Sequence, residues 1–307
     1  MASAELATNS AYDVITPSET LIGMEPVSEI VETAIYSTYL RDAVPISLML
    51  VGPSGAGKSK LIMQYRAVRG CHLTTDITSM GLQQLLVADK ERKMRFIIIP
   101  DFNIVLSHRQ STLHLTIGNL LSAMSEGTIR IDDGRQIKET PHDPIAIISA
   151  MTREIYSGFG KKWAALGFSR RFLPINYDYS LMTRLKIQKA IAEGKIGGMP
   201  LQPKKINAPP DSEVNISQEQ ADILMVFSNE LAVNIGWVPL RGKYQNNEYK
   251  PRALFTGKQM EFSPHVILRT LARAHALRDG RTTVDDGDMN FVTRLIQFTR
   301  YDQAPQL

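Results

Sequence analysis

The chain has 307 residues, a net charge of +4 and 43% hydrophobic residues, long enough for one α/β domain of about 150–200 residues beside a smaller one. Its single cysteine, Cys71, excludes an internal disulfide and a cysteine-rich metal site and fits a reducing compartment. No apolar run approaches the ~20 residues of a membrane helix, and the N-terminus reads as neither a secretory nor an organellar leader, so a cytoplasmic protein with no membrane partner is expected.

The first forty residues carry six acidic groups and no Lys or Arg, which leaves +10 on the remainder. A basic body permits a polyanionic partner, although scattered surface charge gives the same balance. Residues 1–18 read as a flexible N-terminal segment. The apolar run Ser47-Leu48-Met49-Leu50-Val51 then reads as a buried strand. Directly after it stands Gly52-Pro53-Ser54-Gly55-Ala56-Gly57-Lys58-Ser59, a complete G-x-x-x-x-G-K-[ST] pattern, followed by Lys60 and a helix marked by Leu61, Ile62 and Tyr65. Strand, glycine turn and helix in that order are what phosphate chemistry requires. Glycines let backbone N–H groups curl around phosphates, a lysine at position 58 supplies a cation, and a hydroxyl at position 59 ligates Mg²⁺. A nucleoside triphosphate is the expected ligand.

Further strands are predicted at Cys71–Thr75, Arg95–Asp101, Pro144–Ala150 and Arg171–Tyr177, with helices near Gly81–Lys90 and Ser111–Ser125 between them. Five strands separated by helices imply an α/β fold around a mainly parallel sheet, with the nucleotide domain spanning 19–180. Residues 181–216, rich in Gly and Pro from Glu193 onward, read as a connector. Residues 217–307 read as a small all-helical lid domain, interrupted near Asn246–Gly257. Asp101, at the carboxyl end of its strand, is a second candidate Mg²⁺ ligand beside Ser59.

From Glu19 to Leu295 the chain resembles the AAA+ ATPases: Thr20-Leu21-Ile22-Gly23 precedes the glycine loop, and the Asp101 strand follows it. The passage Leu120 to Ile131 is similar to the MoxR-like and minichromosome-maintenance-like branches. The resemblance implies a P-loop NTPase using ATP and Mg²⁺, with Ile22 and Gly23 against the adenine. It implies that Thr152 sits at the sensor-1 position, with Ser149 as fallback. Gly167-Phe168-Ser169-Arg170-Arg171-Phe172 is similar to the Ser-Arg-Phe box, which makes Arg171, or else Arg170, an arginine finger acting on a neighbouring subunit. His265, Arg269 and Arg273 share one helix face, and Arg269 is the sensor-2 candidate. A trans finger implies a homo-oligomeric ring or spiral of about six subunits.

One position departs from the family. Phe102 stands where the family has the Glu that polarises the attacking water, and a phenyl ring cannot do so. Asn103 and His108 are the alternatives, although neither spacing fits the family pattern. On this register Phe102→Glu is expected to raise basal hydrolysis. Three functions remain open: a motor on DNA or RNA, offering Arg130, Arg135 and Lys138 from a predicted hairpin to phosphates; a MoxR-like remodeller of a protein partner; and a slowly hydrolysing, nucleotide-gated assembly switch.

Overall fold

Short, mostly apolar runs set the inner strands of the sheet, because a strand buried on both faces does not alternate with polar residues. The computed structural model describes residues 21–132, 137–160, 162, 167–196, 202–206, 209–245, 248–255 and 262–307. In chain order the first elements are α1 (Glu25–Ser37), β1 (Ser47–Gly52), α2 (Lys58–Met63), β2 (Cys71–Leu73), α3 (Ser79–Ala88), β3 (Phe96–Ile99), α4 (Asn103–Leu106) and α5 (Gln110–Ser125). There follow β4 (Thr128–Asp132), β5 (Ile137–Pro141), β6 (Ala146–Thr152), α6 (Arg153–Gly158), α7 (Phe168–Arg171), β7 (Phe172–Asn176) and α8 (Leu181–Ala192). The chain ends through α9 (Gln218–Ile235), β8 (Trp237–Gln245), β9 (Glu248–Phe255), α10 (Phe262–Arg278) and α11 (Asp286–Gln297).

The central sheet has five strands, all parallel, in the order β2-β3-β6-β1-β7. From β1 the chain crosses outward to the β2 edge and then works back through β3 and β6, before passing β1 to form β7. Parallel connections keep one hand, so the outward crossover and the returning ones lie on opposite faces. The core divides accordingly. Leu48 and Leu50 of β1 pack with α1 and α2, through Val27, Ile30, Val31, Leu61 and Ile62. Met49 and Val51 pack on the other face with α3 and α5, through Leu82, Leu86, Leu113, Ile117 and Leu120. The carboxyl end of β1 is therefore a topological switch point, the place where open α/β sheets leave a crevice.

The C-terminal region is not all-helical. The segment that interrupts the helical pattern forms an antiparallel hairpin, β8 with β9, in which Trp237 opposes Phe255 and Tyr244 opposes Tyr249. Pro239 and Pro251 oppose a helix interior there, while the aromatic and aliphatic residues around them suit a strand pair. Nor do helices α9 to α11 build a core of their own: Leu224, Leu231, Leu268, Leu271, Phe291 and Leu295 join the same apolar cluster as α1, α2 and one face of the sheet. The connector opens with a regular helix, α8, started by the Ser180 side chain, which accepts from the Thr183 N–H. Among the described residues, no helix is long and apolar enough to cross a membrane.

Candidate functional site

The loop Gly52–Ser59 leaves the switch point with two left-handed glycines, Gly55 at φ 74° and Gly57 at φ 72°. A side chain at either position would be strained by that backbone, and at Gly57 it would also press on Met24 Sδ and Leu21 Cδ2, at 3.2 and 3.3 Å. Nothing stands within 4 Å of the place a Cβ would take at Gly55, so that face of the loop is open. Two tyrosine hydroxyls clamp the loop from β7 and beyond: Tyr177 and Tyr179 both donate to the Ala56 carbonyl, at 3.2 and 3.0 Å. Burial pushes the Tyr179 phenol up to about 12 and the Tyr177 phenol well above its ordinary 10, so both remain neutral donors.

Lys58, only 7% exposed, folds its ammonium onto its own loop, donating to the carbonyls of Gly52 and Pro53 at 3.0 and 2.6 Å. Burial lowers its pKa to about 8, against the opposing pull of the Glu154 and Asp101 carboxylates. Among the described residues its hydrogen-bond partners are both neutral carbonyls. Ser59 donates its hydroxyl to the Pro100 carbonyl at 2.9 Å, which places it beside Asp101 although 41 residues separate Ser59 from Pro100. Thr152 stands opposite Gly52 in the β1–β6 ladder and caps no helix group with its side chain. The ends of β1, β3 and β6 thus gather Lys58, Ser59, Asp101 and Thr152. Ser149 is excluded from the crevice: it is fully buried and its hydroxyl donates to Ile99 O at 2.6 Å.

Two lobes open beside the loop. One, of about 350 Å³, is lined by Ile22, residues 55–60 including Lys60, Tyr179, and Ile187 and Ile191 of α8. The other, of about 640 Å³, is lined by Pro53, Ser54, Gly55, Ala56, Arg153, Glu154, Asp178, Arg184 and Gln306. Ile22 is thereby placed in an apolar recess beside the loop. Gly23, at φ 80°, lies against α8 instead, where a Cβ would approach Thr183 Cγ2 to 2.9 Å. Tyr177, Tyr179, Arg153 and α8 are the parts of this site that sequence reasoning missed. Arg153 is nearly buried, donating to Asp178 at 3.1 Å and to Tyr177 O at 2.9 Å, and nothing in its local sequence marks that role.

Other expected residues lie elsewhere. The register for the missing glutamate is corrected by position 102: Phe102 is fully buried and its ring meets Phe168 and Phe172 at 6.0 and 5.8 Å between centroids. A carboxylate there would enter an aromatic core and would not reach the crevice. Asn103 is nearer the chemistry, for its N–H donates to Asp101 Oδ1 at 3.1 Å and its own buried Oδ1 has no hydrogen-bond partner. His108 is engaged with Asp76, Nε2 to Oδ1 at 3.0 Å, with Nδ1 buried. Arg171 stands at the amino end of β7, level with Ser47 and not with Gly52. Five strand residues, ~17 Å, separate it from the level of its own loop. It donates from Nε to Ser125 Oγ at 3.0 Å. The Arg170 side chain lies outside the described residues.

Arg269 is exposed on α10 and lines neither lobe, and Arg273 spends its guanidinium on the carbonyls of Val214 and Arg41. The predicted hairpin forms as β4–β5, with Arg130 opposite Glu139 and Ile131 opposite Lys138. Arg135 lies outside the described residues. A separate polar cluster joins α1 to α10 and α11. His275 is bonded to Asp288 (2.6 Å) and Glu29 (3.3 Å), and Arg281 holds both oxygens of Asp288. His275, Asp279 and Asp288 have metal-ligand chemistry, but Arg281 already takes up the two carboxylates.

No protein-family model matches this chain, and no curated protein is significantly similar to it.

Proposed function

We propose that the protein is an AAA+ nucleoside-triphosphatase that binds ATP with Mg²⁺ at the Gly52–Ser59 loop. The observation that carries this reading is Lys58: a buried ammonium, depressed by desolvation and bonded only to neutral carbonyls, at the mouth of a glycine loop at the switch point of a parallel sheet. An anion placed there would stabilise the charged form of Lys58 and accept from the loop N–H groups. The donor set also fits the metal, because the Ser59 hydroxyl and the Asp101 carboxylate are the hard oxygen groups that Mg²⁺ takes beside phosphate oxygens. When bound, the metal neutralises charge on the phosphates. Ile22, Ile187 and Ile191 offer apolar surface to a base.

For the attacking water, Asn103 replaces the missing glutamate as the group that holds it: its neighbour is Asp101 and its Oδ1 is free to accept. An amide orients water but takes no proton, so turnover is slow. With an amide and no carboxylate at that place, a nucleotide-gated assembly switch is, as a second reading, favoured over a fast motor. Arg171, too far along β7 for its own loop, serves as a finger for a neighbouring subunit. The nucleic-acid function gains little from the composition of residues 128–141, where Arg130, Arg135 and Lys138 are balanced in sequence by Asp132, Asp133 and Glu139. A protein target fits the same motion equally well.

Titration with a slowly hydrolysed ATP analogue, with and without Mg²⁺, tests the reading. Binding that Mg²⁺ strengthens in the wild type and not in Ser59→Ala supports it. Binding indifferent to Mg²⁺ in both, or none at all, refutes it.

A further inference from the structure

Two helices carry a disproportionate share of the exposed apolar surface. Of the sixteen large hydrophobic side chains exposed among the described residues, seven lie on α8 and α9: Leu181, Met182, Leu185 and Ile191 on the first, Ile223, Met225 and Val226 on the second. Exposed apolar residues scattered singly need no explanation, but clusters on one helix face do. Helix α8 buries only Thr183 and Ala190 of its twelve residues, so most of its surface is uncovered by the described residues.

The charges on the two helices are opposite and unmixed. Between Leu181 and Ala192 stand Arg184, Lys186 and Lys189, with no acidic residue. Between Gln218 and Ile235 stand Glu219, Asp222 and Glu230, with no basic one. On α8, Met182, Leu185, Lys186 and Lys189 are all exposed and form one stripe through i, i+3 and i, i+4 neighbours. On α9, Glu219, Asp222, Ile223, Val226 and Glu230 form an exposed stripe in the same way. Arg184 is already bonded to Asp178 and Tyr179 O, whereas Lys186 and Lys189 are exposed, the latter 3.8 Å from Glu193 just past the helix in a pair that water screens.

We propose that α8 of one copy of this chain docks against α9 of another, with Leu185 and Met182 packed on Ile223 and Val226 and the lysines paired with Glu219, Asp222 and Glu230. A second copy is the occupant because the same chain supplies both halves: an apolar centre with a basic rim, and an apolar centre with an acidic rim. Opposite rims steer the unlike helices together and oppose pairing of like ones. Contact between unlike patches either runs head to tail through successive copies or closes as a reciprocal pair. Ile187 and Ile191 on another side of α8 line the smaller crevice lobe, so the docked neighbour stands at its mouth. The contact rests on the self-association in the function proposed above but, unlike a gated switch, requires no bound nucleotide.

The test combines crosslinking with charge exchange in the full chain. Leu185→Cys and Val226→Cys chains are mixed and oxidised: disulfide-linked species should form in the mixture and be scarce in either variant alone. In sedimentation, Lys186→Glu/Lys189→Glu and Glu219→Lys/Asp222→Lys should each raise the dissociation constant at least about tenfold. Mixing those two variants should restore assembly, because every α8–α9 pair is then again of opposite sign. All four positions are exposed, so unchanged melting temperatures are expected and loss of folding is separately read. A wild type that stays monomeric, an assembly untouched by the charge reversals, or one that yields no crosslink in the mixture would each overturn the proposal. ATP affinity measured on the same variants keeps this outcome distinct from failure of the nucleotide site.

Discussion

The Lys58 corner of the crevice and the α1–α10–α11 junction treat buried charge in opposite ways. At the junction every charge is matched: Glu29 meets His275, Arg278 and Arg294, while Asp288 meets His275, Arg281 and the Asp285 N–H. At the crevice the Lys58 ammonium meets two neutral carbonyls, and Asn103 Oδ1 meets nothing. Matched charges fix the position of helices. Unmatched ones wait for a ligand, and that contrast, more than any motif alone, separates a structural cluster from a site.

The comparison breaks first at Phe102. Phe102→Glu is expected to destabilise the fold by about 4 kcal/mol or more, because it buries a carboxylate between two phenyl rings. Thermal denaturation checks this; a variant as stable as the wild type that hydrolyses ATP faster would restore the glutamate register. Next comes the junction: Asp288→Ala should cost about 2–4 kcal/mol, since it strands His275 and the partly exposed Arg281. Chemical denaturation reads that loss directly.

The junction should also be sharpened by pH. The hydrogen bond from His275, then that from Arg278, holds the Glu29 carboxyl at about 2 against its burial. Burial alone would raise the Asp288 carboxyl, but bonds from His275 and Arg281 outweigh it and bring it to about 2. Both folded values lie below the unfolded ones, so this stability is present above pH ~4.5 and is lost as pH falls toward 2. His275 has the opposite sign. Burial alone would lower it, yet the two carboxylates raise it above its ordinary 6.5, so its contribution is complete below pH 6.5 and is lost as pH rises through the folded value. Stability curves for the wild type and His275→Gln should converge at high pH and separate at pH 5–6. The smallest effect belongs to Tyr179→Phe, which removes one of two donors to Ala56 O and should weaken nucleotide binding by about 0.5–1.5 kcal/mol in a titration.

The glycine loop and the five strands were legible because each rests on local rules: apolar runs for buried parallel strands, and a motif whose spacing has a steric cause. Strand order, Tyr177, Tyr179 and Arg153 were not, since each acts through contacts spanning roughly 24 to 123 residues of sequence. Phe102 shows the limit from the other side. Counting from Asp101 put it at the catalytic position, but the chain turns there into α4 and the ring follows the core. The hairpin β8–β9 shows in the sequence only as a break in the helical pattern, although its two prolines and its aromatic residues argue against helix.

The direct test of the central claim is calorimetric titration of the wild type and Lys58→Ala with Mg·ATP at pH 7 and pH 9. Only the protonated lysine serves the phosphates, and its pKa of about 8 should rise on binding. Wild-type affinity should therefore fall up to about tenfold between the two pH values, with proton uptake near pH 8, while Lys58→Ala stays folded and shows no measurable binding at either pH. Equal affinity in both proteins, unchanged by pH, would contradict the account.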